Sequence, residues 1–173
     1  MSLPEPEFAQ LSGGTPDRLL GLVVGVDDPH RADVRALLEA HLRFCFSSTP
    51  LCHAYALDAE RLAHPDVTFF SAREHGVVIG VGAVKRIDAR HAELKSMHTA
   101  EAARGRGIGR ALLEDLLSFA RGEGYQRVSL ETGTMEGFAA ARRLYERAGF
   151  VPCGPFGDYT TSPDNTFMTM ELA

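Results

Sequence analysis

A run with three alternating glycines, ARGRGIGR over residues 103–110, constrains this chain more than any other feature of its sequence. It joins a predicted strand directly to a predicted helix, whose first N–H groups and dipole favour a bound anion. Glycine lets the backbone approach such a ligand closely, and Arg104, Arg106 and Arg110 add positive charge. The run therefore predicts a site for a pyrophosphate group at the start of a helix.

Two other phosphate-binding motifs do not fit this run. A P-loop needs a lysine directly after its last glycine, and none follows Gly109. A dinucleotide-binding fingerprint counted from Gly105 would need a third glycine where Arg110 stands. The structural alternative is a flexible turn with solvated arginines, since short glycine motifs often occur without a ligand.

The spacing of apolar residues and the position of turn residues predict the element order β-α-α-β-β-β-α-β-α-β-β. This order describes a mixed sheet with helices packed on it, not a regular βαβ repeat. The predicted strands span residues 19–26, 67–73, 77–87, 92–99, 127–131, 150–153 and 167–172, and the predicted helices span residues 31–46, 58–63, 108–121 and 136–148.

Composition narrows the class of protein. A chain of 173 residues with 45% hydrophobic side chains fits one domain over 1–173, with 1–17 as a loose lead-in. A net charge of −5 argues against a nucleic-acid partner, and no apolar run is long enough to span a membrane. The three cysteines form no C-x-x-C pair and the seven histidines are scattered. We therefore expect a cytoplasmic protein with free thiols and no metal site.

Two motifs together resemble the GCN5-related N-acetyltransferase (GNAT) family. RGRGIG at 104–109 satisfies the family signature [QR]-x-x-G-x-[GA], and ARRLYERAGF at 141–150 contains its A-x-x-x-Y and G-F elements. Further segments are similar to a bacterial branch of the family whose substrates are mostly unassigned. The resemblance implies an α/β (α+β) fold, with a mixed and mostly antiparallel sheet of six to seven strands flanked by about four helices. It also implies a splay between strands 92–99 and 127–131.

The same resemblance implies acetyl-CoA as co-substrate and no metal. The pantetheine arm would enter the splay and pair with exposed backbone near 97–99, where N–H groups would also face the thioester oxygen. Phe138 is a departure, because many family members carry there an asparagine that helps to bind CoA, and we assign Phe138 no such contact. The residues expected to bind the cofactor are Met97, His98, Thr99, Arg104, Gly105, Arg106, Gly107, Ile108, Gly109 and Arg110.

Glu93 is the candidate catalytic base. It lies eleven residues before Arg104, which matches the catalytic glutamate of some family members. We expect it to take the proton of the acceptor amine directly or through water. Strand alternation would place Glu93 on one face with Lys95 and Met97, and opposite His98. The alternative is a solvated carboxylate paired with Lys85 or Lys95.

Tyr145 is the candidate catalytic acid, because the family places a phenol near the sulfur of CoA at this position of the A-x-x-x-Y element. The alternative is a core aromatic with a hydrated hydroxyl. The resemblance also places two segments beside the acceptor site, the loop after the first helix and the connection between the last two strands. The candidate acceptor-binding residues there are His53, Tyr55, Asp158 and Tyr159.

These features predict an enzyme that moves an acetyl group from acetyl-CoA to the primary amine of a small-molecule or amino-acid-like acceptor. The acceptor would attack directly in a ternary complex, and the enzyme would act without nucleic acid or membrane. Its assembly, as a monomer or a homodimer, stays open. Two alternatives stay open. One is a protein N-terminal or lysine acetyltransferase, and the other is a non-catalytic acyl-CoA-binding sensor, which would have no need of Glu93 and Tyr145.

Overall fold

Seven strands and four α-helices make up the part of the chain that the computed structural model describes, residues 19–48 and 58–173. The strands are β1 Leu22–Val26, β2 Val67–Glu74, β3 Val77–Arg86, β4 His91–Thr99, β5 Arg127–Gly133, β6 Val151–Cys153 and β7 Asn165–Glu171. The helices are α1 Ala32–Ser48, α2 Ala59–Leu62, α3 Ile108–Gly122 and α4 Ala139–Ala148. The strands form one sheet in the order β1-β2-β3-β4-β5-β7-β6. Every neighbouring pair is antiparallel except β4 and β5, which are parallel.

Helix α3 covers one face of the sheet. Its leucines recur at helical spacing, and Leu112 and Leu116 are completely buried. They join a core with Leu94 of β4 and Leu130 of β5, and α4 adds the Tyr145 side chain to the same cluster. Burying a leucine side chain contributes roughly 1.5–3 kcal/mol, so this apolar stripe holds α3 against the sheet.

Helix α1 covers the opposite face. Val34 and Leu38 of α1 are buried against Val81 and Ala83 of β3 in a separate cluster. Since Val84, the next residue of β3, belongs to the α3 core, the two clusters lie on opposite sides of the sheet. The sheet thus separates an α1 face from an α3–α4 face.

Strands β4 and β5 diverge after a short parallel pairing. Their register runs from His91 opposite Arg127 to Leu94 opposite Leu130. Beyond this point β4 continues along β3 as far as Thr99, and β5 continues along β7 as far as Gly133. The structure confirms the predicted fold class and the splay between these two strands.

A β-bulge interrupts β4 at the splay. The register with β3 passes from Lys95 opposite Ala83 to His98 opposite Val81, so β4 has one residue more than β3 in this interval. Ser96 has a φ of +56°, a left-handed value that is uncommon outside glycine. The bulge therefore resets which face each following side chain occupies.

The predicted faces of Met97 and His98 are wrong for this reason. Met97 packs with Leu94 on the α3 face, not with Glu93. The His98 ring contacts His41 of α1 and shares the face of Glu93. Strict alternation cannot anticipate one extra residue, and this residue brings a histidine to the side of the sheet where Glu93 lies.

Element ends differ slightly from the predicted ones. The predicted helix 136–148 begins as a 3₁₀ turn, Glu136–Phe138, and β5 extends two residues beyond the predicted end. Asp58 caps α2 by accepting a hydrogen bond from the Arg61 N–H, and aspartate is among the residues preferred at this position. The predicted lead-in 1–17, His53 and Tyr55 lie outside the described residues.

The described residues hold no helix with the length and apolarity to cross a membrane. Within the same ranges, no three His, Cys, Asp or Glu side chains are grouped so that they could hold a metal ion.

Candidate active site

A cleft of about 1060 Å³ occupies the splay between β4 and β5. It is lined from the α3–α4 face by Leu113 and Tyr145, and from the α1 face by His41 and Phe44. Glu93 and Glu131 line it from the two diverging strands. The volume suits a large ligand that passes between the strands and reaches both faces of the sheet.

The glycine loop forms one end of this cleft. Gly107 caps α3 with a φ of +87°, and Gly105 has a φ of +73°. Both values are left-handed, so these turns need glycine. No described side chain caps α3, and the first N–H groups of the helix stay available to an anion. Gly105, Gly107, Ile108 and Gly109 all line the cleft, as do the predicted β4 residues Met97, His98 and Thr99.

The three arginines of the loop differ in their surroundings. Arg104 and Arg110 line the cleft, and Arg110 also forms an exposed ion pair of 2.8 Å with Glu114. Arg106 is not among the cleft-lining residues and pairs instead with Glu74 of β2. The positive charge offered to a ligand at this loop therefore comes mainly from Arg104, Arg110 and the helix terminus.

Three further arginines line the cleft that were not predicted from the sequence. Arg121 lies at the end of α3, and Arg143 and Arg147 lie one turn apart on α4. Their positions along the chain give no sign of a common site, because only the packing of α3 against α4 brings them to one wall. Together they make this side of the cleft strongly cationic, which suits the phosphates of a nucleotide-bearing ligand.

Glu93 is buried in an ion pair. Only 3% of it is exposed, and Lys95 Nζ donates to its Oε1 at 3.1 Å. The Tyr159 hydroxyl donates to the same oxygen, and Lys95 donates to the Tyr159 hydroxyl as well. Glu93 is therefore paired with a lysine, Lys95, as the alternative interpretation of the sequence expected. The carboxylate nevertheless lines the cleft.

Glu131 is a second cleft carboxylate that the sequence did not single out. Burial raises the pKa of Glu131 to about 7, and the negative charge of Glu93 adds to this effect while Lys95 opposes it. A carboxylate with a pKa near neutrality is a frequent sign of a functional site. Only the approach of β4 to β5 reveals it, because Glu131 is 38 residues from Glu93 along the chain.

Two histidines meet at the wall made by α1 and β4. The Nδ1 atoms of His41 and His98 lie 3.3 Å apart, so one ring donates to the other. Burial lowers the pKa of each to about 4, helped for His41 by His98 and for His98 by Arg104. Both rings are therefore neutral at physiological pH and add no charge to the cleft.

Tyr145 lies at the opposite wall with 6% of its surface exposed. Its ring packs edge-on against Phe150, with ring centroids 5.8 Å apart. Burial raises the pKa of its hydroxyl, so the phenol keeps its proton throughout the physiological range. No described group is hydrogen-bonded to this hydroxyl, and the residue lines the cleft, so the proton is available to a ligand.

Phe138, where the family resemblance implies an asparagine, is part of the cleft wall. Its buried ring packs edge-on against Phe44 of α1, with centroids 5.2 Å apart. It also lies directly over Gly133, where a Cβ atom would overlap the ring. The aromatic pair closes this part of the cleft wall, and glycine at 133 leaves room for it.

The contact between Gly133 and Phe138 is testable. We expect Gly133→Ala to lower the free energy of unfolding by roughly 1–3 kcal/mol, because the new methyl group must displace the ring. In a Phe138→Ala background the same substitution should cost much less, since the obstacle is gone. Chemical denaturation of both single variants and the double variant measures this coupling. Additive effects would show that the ring does not restrict position 133.

Two of the candidate acceptor-binding residues, Asp158 and Tyr159, lie within the described part of the chain, and they differ in position. Tyr159 lines the cleft through its contact with Glu93 and Lys95, whereas Asp158 is exposed and is not among the lining residues. The rings of Phe156 and Phe167 pack around Tyr159 and hold the β6–β7 connection against the sheet.

Comparison with known proteins agrees with this geometry. The family described as Acetyltransferase (GNAT) family matches residues 34–150. The N-acetyltransferase YsnE of Bacillus subtilis (strain 168) is 40% identical over 149 residues, which cover 86% of this chain and 99% of that protein.

Solved structures show the same fold. An acyl-CoA N-acyltransferase from Klebsiella pneumoniae has a TM-score of 0.76 and 26% identity, covering 88% of this chain and 98% of that one. A GNAT family acetyltransferase from Elizabethkingia anophelis, solved with acetyl-CoA bound, has a TM-score of 0.65 at 20% identity, covering 88% of this chain and 99% of that one. With the family match over more than half of its length, the chain belongs to the GNAT family and is an acyl-CoA-dependent N-acetyltransferase.

Proposed function

We propose that this enzyme transfers an acetyl group from acetyl-CoA to the primary amine of a small molecule, by direct attack within a ternary complex. One observation carries the proposal. The cleft in the splay brings a glycine-lined helix terminus, a buried carboxylate at Glu93 and a protonated phenol at Tyr145 to the same ligand-sized space. The acidic composition and the family membership are consistent with a cytoplasmic enzyme of one domain.

The cleft fits acetyl-CoA in its chemistry. The α3 terminus and Arg104 would hold the pyrophosphate, with Arg121, Arg143 and Arg147 available to the other phosphate oxygens. Beyond Leu94, the edge of β4 that faces the splay has left its pairing with β5, so its backbone can pair with the amides of a pantetheine arm. Acetyl-CoA would supply a thioester carbonyl that an amine can attack.

Two side chains of the cleft would then each transfer a proton. Glu93 would take the proton of the acceptor amine, whose pKa of about 8–10 keeps it mostly protonated at neutral pH. Tyr145 would give its proton to the departing thiolate, so that the free thiol of CoA leaves. Backbone N–H groups at 97–99 would stabilise the charge that develops on the carbonyl oxygen.

The cofactor part of the proposal is tested at Gly107. We expect Gly107→Val to weaken acetyl-CoA binding at least tenfold, about 1.4 kcal/mol, because the side chain crowds the pyrophosphate and its φ of +87° strains the start of α3. Isothermal titration calorimetry measures the affinity. Gly124→Val is the matched control, since Gly124 has a φ of +84° in open space and does not line the cleft.

Both variants should lose similar stability, because the backbone strain is the same, but only Gly107→Val should lose affinity. Equal acetyl-CoA affinity in the two folded variants would show that the pyrophosphate does not bind at the α3 terminus.

A further inference from the structure

Glu131 is a partly buried carboxylate whose described surroundings give it no hydrogen bond. It follows Leu130, which is the last residue of β5 paired with β4, and so it faces the splay. By alternation it shares the face of Ser129, the register partner of Glu93, and therefore the α1 face. No described side chain donates a hydrogen bond to it. A half-buried carboxylate without a hydrogen bond is stabilised by a ligand that supplies a hydrogen-bond donor or a positive charge.

Lys95, the positive charge that acts on Glu131, is already engaged. Lys95 is hydrogen-bonded to Glu93 and to the Tyr159 hydroxyl, and its ammonium lies 5.1 Å from the centre of the Tyr159 ring. Lys95 therefore faces both Glu93 and Glu131, and one ammonium does not balance the two carboxylates when both are charged. The titratable or charged groups that line the α1 side of the cleft are His41 from α1, Glu93, Lys95 and His98 from β4, Arg104 from the glycine loop, Glu131 from β5, and Tyr159 and Asp164 from the β6–β7 connection.

Apart from Arg104, whose guanidinium lies 5.9 Å from the centre of the Phe44 ring, the described surface that remains on this side is mostly aromatic or uncharged. Phe44 and Phe138 form an edge-on pair at the cleft wall, and the Tyr159 ring lies beside Glu93. His41 and His98 are neutral because burial lowers their pKa values to about 4. A ligand that fits this half would present a cation to the carboxylates and an apolar body to the rings.

We propose that Glu131 binds the ammonium group of the acceptor, and that the acceptor is a primary amine with an apolar body and no carboxylate beside the amine. This inference rests on the proposed function and assigns Glu131 to substrate binding, while Glu93 remains the proposed base. An amino acid is disfavoured, because its carboxylate would face Glu93 and Glu131 while Lys95 is engaged by Glu93 and Arg104 by the pyrophosphate of the proposed complex.

A pH dependence follows for acceptor binding. With a pKa of about 7, Glu131 is mostly neutral at pH 6 and mostly charged at pH 8. The acceptor is an ammonium ion over this interval, so its KM should fall as the pH rises from about 6 to about 8. Glu131→Gln should abolish this fall.

The free enzyme offers a check that needs no acceptor. A carboxyl whose folded pKa exceeds its unfolded value binds more protons when folded, so it lowers stability as the pH rises between these two pKa values. Glu131→Gln should therefore gain melting temperature over the wild type as the pH increases from about 5 to about 8. A constant difference in melting temperature would show that Glu131 does not titrate in this range.

The deciding experiment compares tryptamine with tryptophan as acceptors at saturating acetyl-CoA. For the wild type, we expect kcat/KM for tryptamine to exceed that for tryptophan at least tenfold, which corresponds to about 1.4 kcal/mol. Glu131→Gln should raise KM for tryptamine about 10- to 100-fold with kcat nearly constant, as loss of a charged hydrogen bond predicts. Glu136→Gln, which removes an exposed charge from the nearby 3₁₀ turn outside the cleft, should leave both parameters unchanged.

Other outcomes overturn the inference in distinguishable ways. A fall in kcat without a rise in KM, reversed at high pH, would make Glu131 a base instead of a binding residue. Preference for tryptophan, or acetylation of neither probe by an enzyme that binds acetyl-CoA, would reject the acceptor class alone. Failure to bind acetyl-CoA would reject the proposed function itself.

Discussion

Replacing Tyr145 with phenylalanine is expected to lower kcat about 10²-fold, with little change in acetyl-CoA affinity. The substitution keeps the ring that packs against Phe150 and removes only the hydroxyl proton. Burial raises the pKa of this hydroxyl, so the wild type should show no inflection from Tyr145 across the neutral range. Steady-state kinetics with acetyl-CoA and calorimetry of its binding separate the two effects.

Tyr125 provides the control for Tyr145. It is a second tyrosine packed against the α3 core and does not line the cleft, so Tyr125→Phe should leave kcat unchanged. Melting temperatures should move little in Tyr145→Phe, because a hydroxyl without a described partner contributes at most about 1 kcal/mol. A thioester with a more acidic leaving thiol should reduce the loss of rate. Unaltered kcat, or affinity reduced as much as the rate, would make Tyr145 a packing residue.

Glu93→Gln is expected to lower kcat about 10²- to 10³-fold at neutral pH, with partial recovery as the pH rises and the amine deprotonates unaided. The pH–rate profile of the variant against the wild type measures this effect. Stability should also fall by roughly 3–5 kcal/mol, because the substitution leaves the ammonium of Lys95 buried without its carboxylate.

The two effects can be separated with a double variant. Glu93→Gln combined with Lys95→Met removes both charges, so the melting temperature should recover towards that of the wild type. The rate should stay low, because the proton acceptor is still missing. A double variant with both its stability and its rate restored would show that Glu93 is structural, and a wild-type pH–rate profile in Glu93→Gln would lead to the same conclusion.

Much of the fold was predictable because its signals are local. The glycine run before α3, the apolar stripe of Leu112 and Leu116, and the cap at Asp58 each depend on residues close together in the chain. These features predicted the order of elements, and the family resemblance predicted the splay between β4 and β5. The bulge at Ser96 was not predictable, because one inserted residue leaves no mark on composition or period.

The site was less predictable than the fold. Glu93, Tyr145 and Tyr159 were predicted through the family resemblance, and all three line the cleft. The contacts of Tyr159 with Glu93 and Lys95 and the raised pKa of Glu131 depend on the approach of β4, β5 and the β6–β7 connection, which only the folded chain brings about. Burial and long-range charge set such properties, and neither can be read from spacing in a sequence.

The most direct test of the account is the rate at which acetyl-CoA releases its thiol, measured with and without a panel of primary amines. We expect that thiol release is amine-dependent and saturable, that the amine gains one acetyl group, and that Gly107→Val and Glu93→Gln each reduce the rate. Thiol release at the same rate with and without every amine, by a protein that binds acetyl-CoA, would contradict it.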